Sequence, residues 1–168
     1  MEKHLQEEVR EGYSRSVPSL HIIYASTSGH TEFVVDHVME VLKKVNGVEV
    51  EKQRAELATA DDMLRGDVLI LATSSWNTGG PEGQMNPHMH GLLRDRAADL
   101  DLQKKKVAVI GLGDDRYHFL CRAADLMIEY IETHNGTLVK PELRIVNEPY
   151  GQEKTVEKWT QEFLKAIS

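Results

Sequence analysis

The chain has 168 residues, 40% hydrophobic and 28% charged, a balance that suits one globular domain rather than a disordered chain. Asp and Glu number 27 against 20 Lys and Arg, a formal net charge of -7, which argues against a nucleic-acid partner. One cysteine, Cys121, excludes an internal disulfide and points to the cytoplasm, and no apolar run approaches the roughly 18 residues of a membrane span.

Residues 1–19 are polar and charged, carry no apolar signal core, and end in Ser16-Val17-Pro18-Ser19. They are expected to form an N-terminal extension outside the core, either flexible or a short helix. From Leu20 onward strand and helix signals alternate. Leu20 to Ala25 reads as the first strand, and Thr31 to Val45 as a helix with Val34, Val38, Leu42 and Val45 on one face, stopped by Asn46-Gly47.

Val48 to Lys52 alternates like an edge or half-covered strand. Thr59-Ala60-Asp61-Asp62 suits the cap of a short helix, and Asp67 to Ala72 is a continuous apolar run, the mark of a buried parallel strand. A Gly-, Asn- and Pro-rich loop is expected from Thr73 to about Pro87, then a helix over His88 to Leu100. Lys106 to Gly111 is another buried strand, with Lys104-Lys105-Lys106 as its solvated entry. A helix follows over about Phe119 to His134, facing the core with Leu120, Ala124, Met127, Ile128 and Ile131. The last strand is split over Thr137 to Val146 around Pro141, and Glu153 to Ile167 is a final helix carrying Val156, Trp159, Phe163 and Ile167.

Five strands alternating with helices predict a parallel sheet covered on both faces, with ligands beyond the carboxyl ends of the strands. Three loops leave such ends with unusual content: Ser26-Thr27-Ser28-Gly29-His30-Thr31, then Thr73-Ser74-Ser75-Trp76-Asn77 running to Gly83, then Gly111 to Cys121. The first places hydroxyls and a glycine at a strand-to-helix turn, where backbone N–H groups lack intrahelical partners and the helix dipole favours an anion. A phosphate fits there without Lys or Arg. Trp76 and Tyr117 in the other two loops suit a flat ligand that carries a phosphate tail.

Other nucleotide folds fail on residues. Gly29 is followed by His30 and Thr31, not by the Lys of a P-loop, and Arg116 stands where a dinucleotide fingerprint wants its third Gly. Trp159 and Cys121 read as core, and His88 and His90, two apart, point to different sides of a helix, so no metal site is expected.

From Leu20 to the C-terminus the chain resembles the short-chain flavodoxin family. The resemblance rests on Ser26 to Thr31, on Ser74-Ser75-Trp76, on Gly113-Asp114-Asp115-Arg116-Tyr117, and on the uninterrupted tail from Gly136 to Pro149. It implies an α/β flavodoxin-like three-layer α/β/α sandwich over residues 20–168, with a five-stranded parallel sheet in order 2-1-3-4-5. It implies FMN as cofactor and low-potential single-electron transfer between redox proteins, a reductase donor and an electron acceptor docking through basic patches. The alternative on the same fold is an FMN-dependent quinone or NAD(P)H oxidoreductase, but the two aromatic covers argue for a carrier, with a monomer expected.

Carried onto this sequence, the resemblance puts Ser26, Thr27, Ser28, Gly29, His30 and Thr31 around the FMN phosphate. Thr73, Ser74 and Ser75 lie by the ribityl chain or phosphate, and Trp76 and Tyr117 sandwich the isoalloxazine. Gly113, Asp114 and Cys121 border the pyrimidine edge, with His118 near the flavin edge. Asn77 takes the position after the stacking Trp, where a peptide that turns over wants a residue tolerant of positive φ. Stacked rings and the carboxylates Glu82, Asp114 and Asp115 disfavour extra negative charge on the flavin. His30 departs from the family's usual Asn, and its protonation adds a positive charge beside the phosphate.

Overall fold

A computed structural model describes residues 18–76, 84–114 and 121–168, with Trp76 described for its backbone only. Strand β1 (Ser19–Tyr24) enters the centre of the sheet, and helix α1 (His30–Lys43) returns over it to β2 (Glu49–Arg54). Strand β3 (Val68–Trp76) is followed by β4 (Gln84–Met85) and by α2 (Pro87–Gly91), which continues as one π turn over Leu92–Arg96. Then come β5 (Lys106–Gly113), α3 (Arg122–Thr133), β6 (Thr137–Leu138), β7 (Leu143–Val146) and α4 (Glu153–Ile167).

The parallel order is β2-β1-β3-β5-β6, with β7 also on β5 and β4 antiparallel to β3. This is the expected five-stranded order with two refinements. The fifth strand is broken into β6 and β7 around Pro141, which has no N–H to give to the ladder. The segment expected to be loop from Thr73 instead continues β3 to Trp76 and returns through β4, pairing Ser75 with Met85 and Trp76 with Gln84.

Alternation along the strands divides the core in two. Leu20, Ile22 and Tyr24 of β1 face Val34, Val38 and Leu42 of α1 and Trp159 and Phe163 of α4. Ile23 of β1, Leu69 and Leu71 of β3 and Val107 and Val109 of β5 face α2 and α3 through Met89, Leu92, Met127, Tyr130 and Ile131. Edge strand β2 is only partly covered, as its alternating pattern foretold.

Several expectations are corrected. The first strand begins at Ser19, one residue inside the proposed extension, whose residues 1–17 lie outside the described ones. Helix α1 stops at Lys43, so Val45 is 40% exposed rather than on the core face. The helix expected over His88 to Leu100 is a short α turn and a π turn, in which Ala97 N donates to Leu92 O at 2.7 Å. Lys105 is not a solvated entry residue: its Nζ donates to Leu64 O at 3.1 Å and to Gly66 O, and burial lowers its pKa. Thr59 does hold the short helix after it, through mutual bonds with Asp62.

Close packing brings the loops to one end. A Cβ on Gly111 would lie 2.6 Å from Ala124 Cβ, and one on Gly113 would lie 2.4 Å from Cys121 N. Glycine at these two positions lets α3 start directly against the end of β5.

Candidate functional site

The carboxyl ends of β1, β3 and β5 lie side by side in the sheet, so the three loops picked out in the sequence leave from one edge. Gly29 sits at φ 92° as the N-cap of α1, and Thr27 and Ser28 are exposed before it. Phe33 N donates to Gly29 O at 3.0 Å, the first bond of the helix, and Glu32 N donates to Ser26 Oγ at 3.3 Å. Among the described residues, the N–H groups of Thr27, Ser28, Gly29, His30 and Thr31 meet no acceptor. That is five consecutive donors at the positive end of a helix of 14 residues.

The loop is held from outside by residues the sequence reading passed over. Asn86 is fully buried; its Nδ2 donates to Thr27 Oγ1 at 2.8 Å and its Oδ1 accepts from His88 N at 3.0 Å. Its own N–H donates to Ser74 O at 3.0 Å, so one side chain and one amide tie the first loop to the second. The visible signal was Asn86-Pro87, an N-cap followed by proline at N1. What it caps was legible; that it also reaches Thr27 was not.

Arg54, at the end of β2, donates through Nη1 to Ser26 O at 3.3 Å and through Nη2 to Glu32 Oε2 at 2.6 Å. Tyr24 OH donates to the same carboxylate oxygen at 2.8 Å, and burial followed by that bond raises the Tyr24 pKa. Across the sheet Arg144 of β7 plays the matching part. Its Nη1 donates to Cys121 O at 3.3 Å, while Asp125 and Glu142 take its other donors at 2.7 and 3.0 Å. The bond to Asp125 is the main reason that its pKa is raised. An arginine on each flank therefore pins a loop carbonyl.

Other proposed site residues divide by role. Ser75 Oγ accepts from Ala123 N at 3.2 Å, so this hydroxyl caps α3 from a neighbouring strand. Thr73 is fully buried, and its Oγ1 has no hydrogen-bond partner among the described residues. Cys121 sits at φ 50° before α3; its Sγ donates to Ile145 O at 3.4 Å, and burial raises the thiol pKa, so it is packing rather than a reactive group. The Cys121 N–H meets no acceptor among the described residues. Gly113 and Asp114 end β5 half-buried beside it. Asn77, Tyr117, His118 and the side chain of Trp76 lie outside the described residues.

Tyr150, 54% exposed on the turn before α4, is a further neighbour that sequence reading missed. Its ring lies 5.6 Å from that of His30 at 87° and 4.8 Å from that of Phe33 at 65°.

FMN fits this end of the sheet. The N–H groups of residues 27–31, which meet no acceptor among the described residues, suit a phosphate beside the exposed hydroxyls of Thr27 and Ser28.

A family model described as Flavodoxin matches residues 22–159. The chain is 30% identical over 136 residues to Probable flavodoxin 2 of Bacillus subtilis (strain 168), covering 79% of this chain and 85% of that one. It is 30% identical over 129 residues to the flavodoxin of Maridesulfovibrio salexigens, covering 76% and 86%. The crystal structure of oxidised flavodoxin 1 from Bacillus cereus superposes with a TM-score of 0.78 at 26% identity, over 89% of this chain and 99% of that one. With its sheet order, its phosphate-type turn and these relatives, the chain belongs to the flavodoxin family of FMN-binding electron-transfer proteins.

Proposed function

We propose that the protein is a carrier of single low-potential electrons with no substrate of its own, built as one FMN-binding domain over residues 20–168. The observation that carries the site assignment is the run of N–H donors from Thr27 to Thr31, which lack acceptors among the described residues at the carboxyl edge of the sheet. Bound FMN supplies the redox chemistry, taking up and returning electrons singly.

The chain's own residues bind and bias it. The N–H groups of Thr27 to Thr31 and the hydroxyls of Ser26, Thr27, Ser28 and Thr31 donate to the phosphate. Asn86 and Arg54 keep the loop in shape for this without touching the cofactor. Thr73 and Ser74 lie along the ribityl chain, while Ser75 acts indirectly by capping α3. Trp76 and Tyr117 cover the ring faces and exclude water. The backbone of Gly113, Asp114 and Cys121 meets the pyrimidine edge, where Gly113 lets the chain come close. Asn77 offers its carbonyl and His118 its imidazole at the ring's rim. The carboxylates of Glu82, Asp114 and Asp115 oppose added negative charge there, which lowers the potential.

With a net charge of -7, the protein suits basic patches on a reductase donor and on an electron acceptor. No helix among the described residues is long and apolar enough to cross a membrane. The lone cysteine suits a reducing compartment such as the cytoplasm.

The test is stepwise titration of the apoprotein with FMN, followed by visible spectroscopy and an NADH oxidation assay. Stoichiometric flavin binding without NADH oxidation supports the carrier. NADH oxidation by the purified protein alone would mark it as an oxidoreductase, and failure to bind FMN would remove the function.

A further inference from the structure

We infer that His30 takes up a proton when the FMN phosphate binds, and that Tyr150 is the positioning residue that holds its imidazole for this. The inference rests on the FMN reading above and adds a pH dependence particular to this chain.

His30 is the first residue of α1, directly after the N-cap Gly29, and its own N–H is one of the five that lack acceptors among the described residues. Its ring is half-buried. Among the described residues it has no hydrogen bond and no carboxylate within ion-pair distance. The nearest acid on its own helix, Glu32, is taken by Arg54 at 2.6 Å and by Tyr24 OH at 2.8 Å. On the turn that carries Tyr150, Glu153 Oε1 accepts from Gly151 N at 3.2 Å and Glu148 is exposed, and neither lies within ion-pair distance of His30, so the phosphate is the anion available to an imidazole here.

The ring is not left to rotate freely. Tyr150 approaches it edge-on from the turn before α4, at 5.6 Å between centroids, and braces itself on Phe33 at 4.8 Å. That turn is anchored: Pro149 is buried, its carbonyl accepts from Gln152 N at 3.0 Å, and Gly151 takes φ 89°. Against His30 the Tyr150 ring limits the imidazole's rotamers.

The sign follows from linkage. A proton taken up on binding makes FMN bind more tightly at lower pH and more weakly as the imidazole loses its proton. The phosphate's own second ionisation, near pH 6, bounds the window from below.

The experiment measures the FMN dissociation constant of the apoprotein by flavin fluorescence from about pH 6.5 to about pH 8.5. It compares the native chain with His30→Asn, Tyr150→Phe and Tyr150→Ala. Riboflavin, which lacks the phosphate, serves as the control ligand. Calorimetry of the native chain in two buffers of different ionisation enthalpy counts the protons taken up and needs no variant. The affinity of the native chain is expected to fall about tenfold further than that of His30→Asn across this range. Tyr150→Phe should keep the native profile and Tyr150→Ala should flatten it, while riboflavin shows no such slope in any variant. Parallel profiles for the native chain and His30→Asn, or no proton uptake in calorimetry, overturn the inference while leaving FMN binding intact. An unchanged profile in Tyr150→Ala overturns the positioning role. Absence of FMN binding at every pH overturns the inference together with the function it rests on.

Discussion

The two ends of one sheet treat their polar groups in opposite ways. Near the amino ends of β1 and β3, donors and acceptors are closed on one another. Ser19 N donates to Asp67 Oδ2 at 2.8 Å and Asp67 N returns a bond to Ser19 O at 2.8 Å. Beside β2 the closure continues: His21 Nε2 meets Gln53 Oε1 at 3.0 Å, Gln53 Nε2 donates to Asp62 Oδ2 at 3.0 Å, and Thr59 N donates to the same oxygen at 2.8 Å. That amide is the main cause of the lowered Asp62 pKa. At the carboxyl ends five loop N–H groups meet no acceptor among the described residues, and the side chains nearby are turned to holding the loop backbone. Donors at a helix start lack intrahelical partners and, on exposed residues, are open to water or to an anion.

The comparison breaks hardest where the two layers touch. Gly113→Ala sets a Cβ 2.4 Å from Cys121 N, a backbone atom that cannot move aside alone. A loss of about 3 kcal/mol in urea unfolding is expected, with FMN affinity falling too. A variant as stable as the native chain would show that α3 can retreat from β5.

Next comes Asn86→Leu, which keeps the branching and heavy-atom count but strips Thr27 Oγ1 and His88 N of their partner. A loss of about 2 kcal/mol is expected in the apoprotein, together with weaker FMN binding. Unchanged FMN affinity would mean that the first loop keeps its shape without the tie.

Thr73→Val sharpens the contrast, because its effect should change sign with the cofactor. Removing a buried hydroxyl that lacks a partner among the described residues should stabilise the apoprotein by about 1 kcal/mol. With FMN bound, the same change should weaken affinity several-fold. Equal effects on apoprotein and FMN complex would remove Thr73 from the site.

The smallest effect belongs to the closed end. Burial is the main cause of the lowered His21 pKa, opposed by the bond to Gln53. A histidine whose folded pKa lies below its unfolded value of about 6.5 contributes stability that is present above that pH. The contribution is lost as the pH falls from there through the folded pKa. Urea midpoints should therefore drop on acidification through this window, and His21→Gln should reduce the drop. Identical slopes in both proteins would place the acid sensitivity elsewhere.

Much of this was legible in the chain. Alternating apolar runs and amphipathic stretches placed the strands, α1, α3 and α4 within a few residues, because burial on both faces of a parallel sheet demands that pattern. Trp159 and Cys121 were read as core, and they are 4% and 1% exposed. Local signals failed where local geometry was overruled. The Gly- and Pro-rich stretch after Ala72 hid the β3–β4 pairing, since its ladder depends on β3 lying beside it and not on alternation of its own. Lys105 looked like any surface lysine until the turn before β3 supplied two carbonyls.

By itself, then, the sequence determined the layers, the sheet edge from which the three candidate loops leave and the residue types of the turn before α1, all properties of contiguous segments. Only the tertiary structure decided that Asn86 ties the first loop to the second, that Arg54 and Arg144 pin loop carbonyls from the flanks, and that Tyr150 braces His30. These contacts join residues far apart in the chain. Periodicity states which face a residue occupies, while the packing of whole elements selects which partner stands across from it.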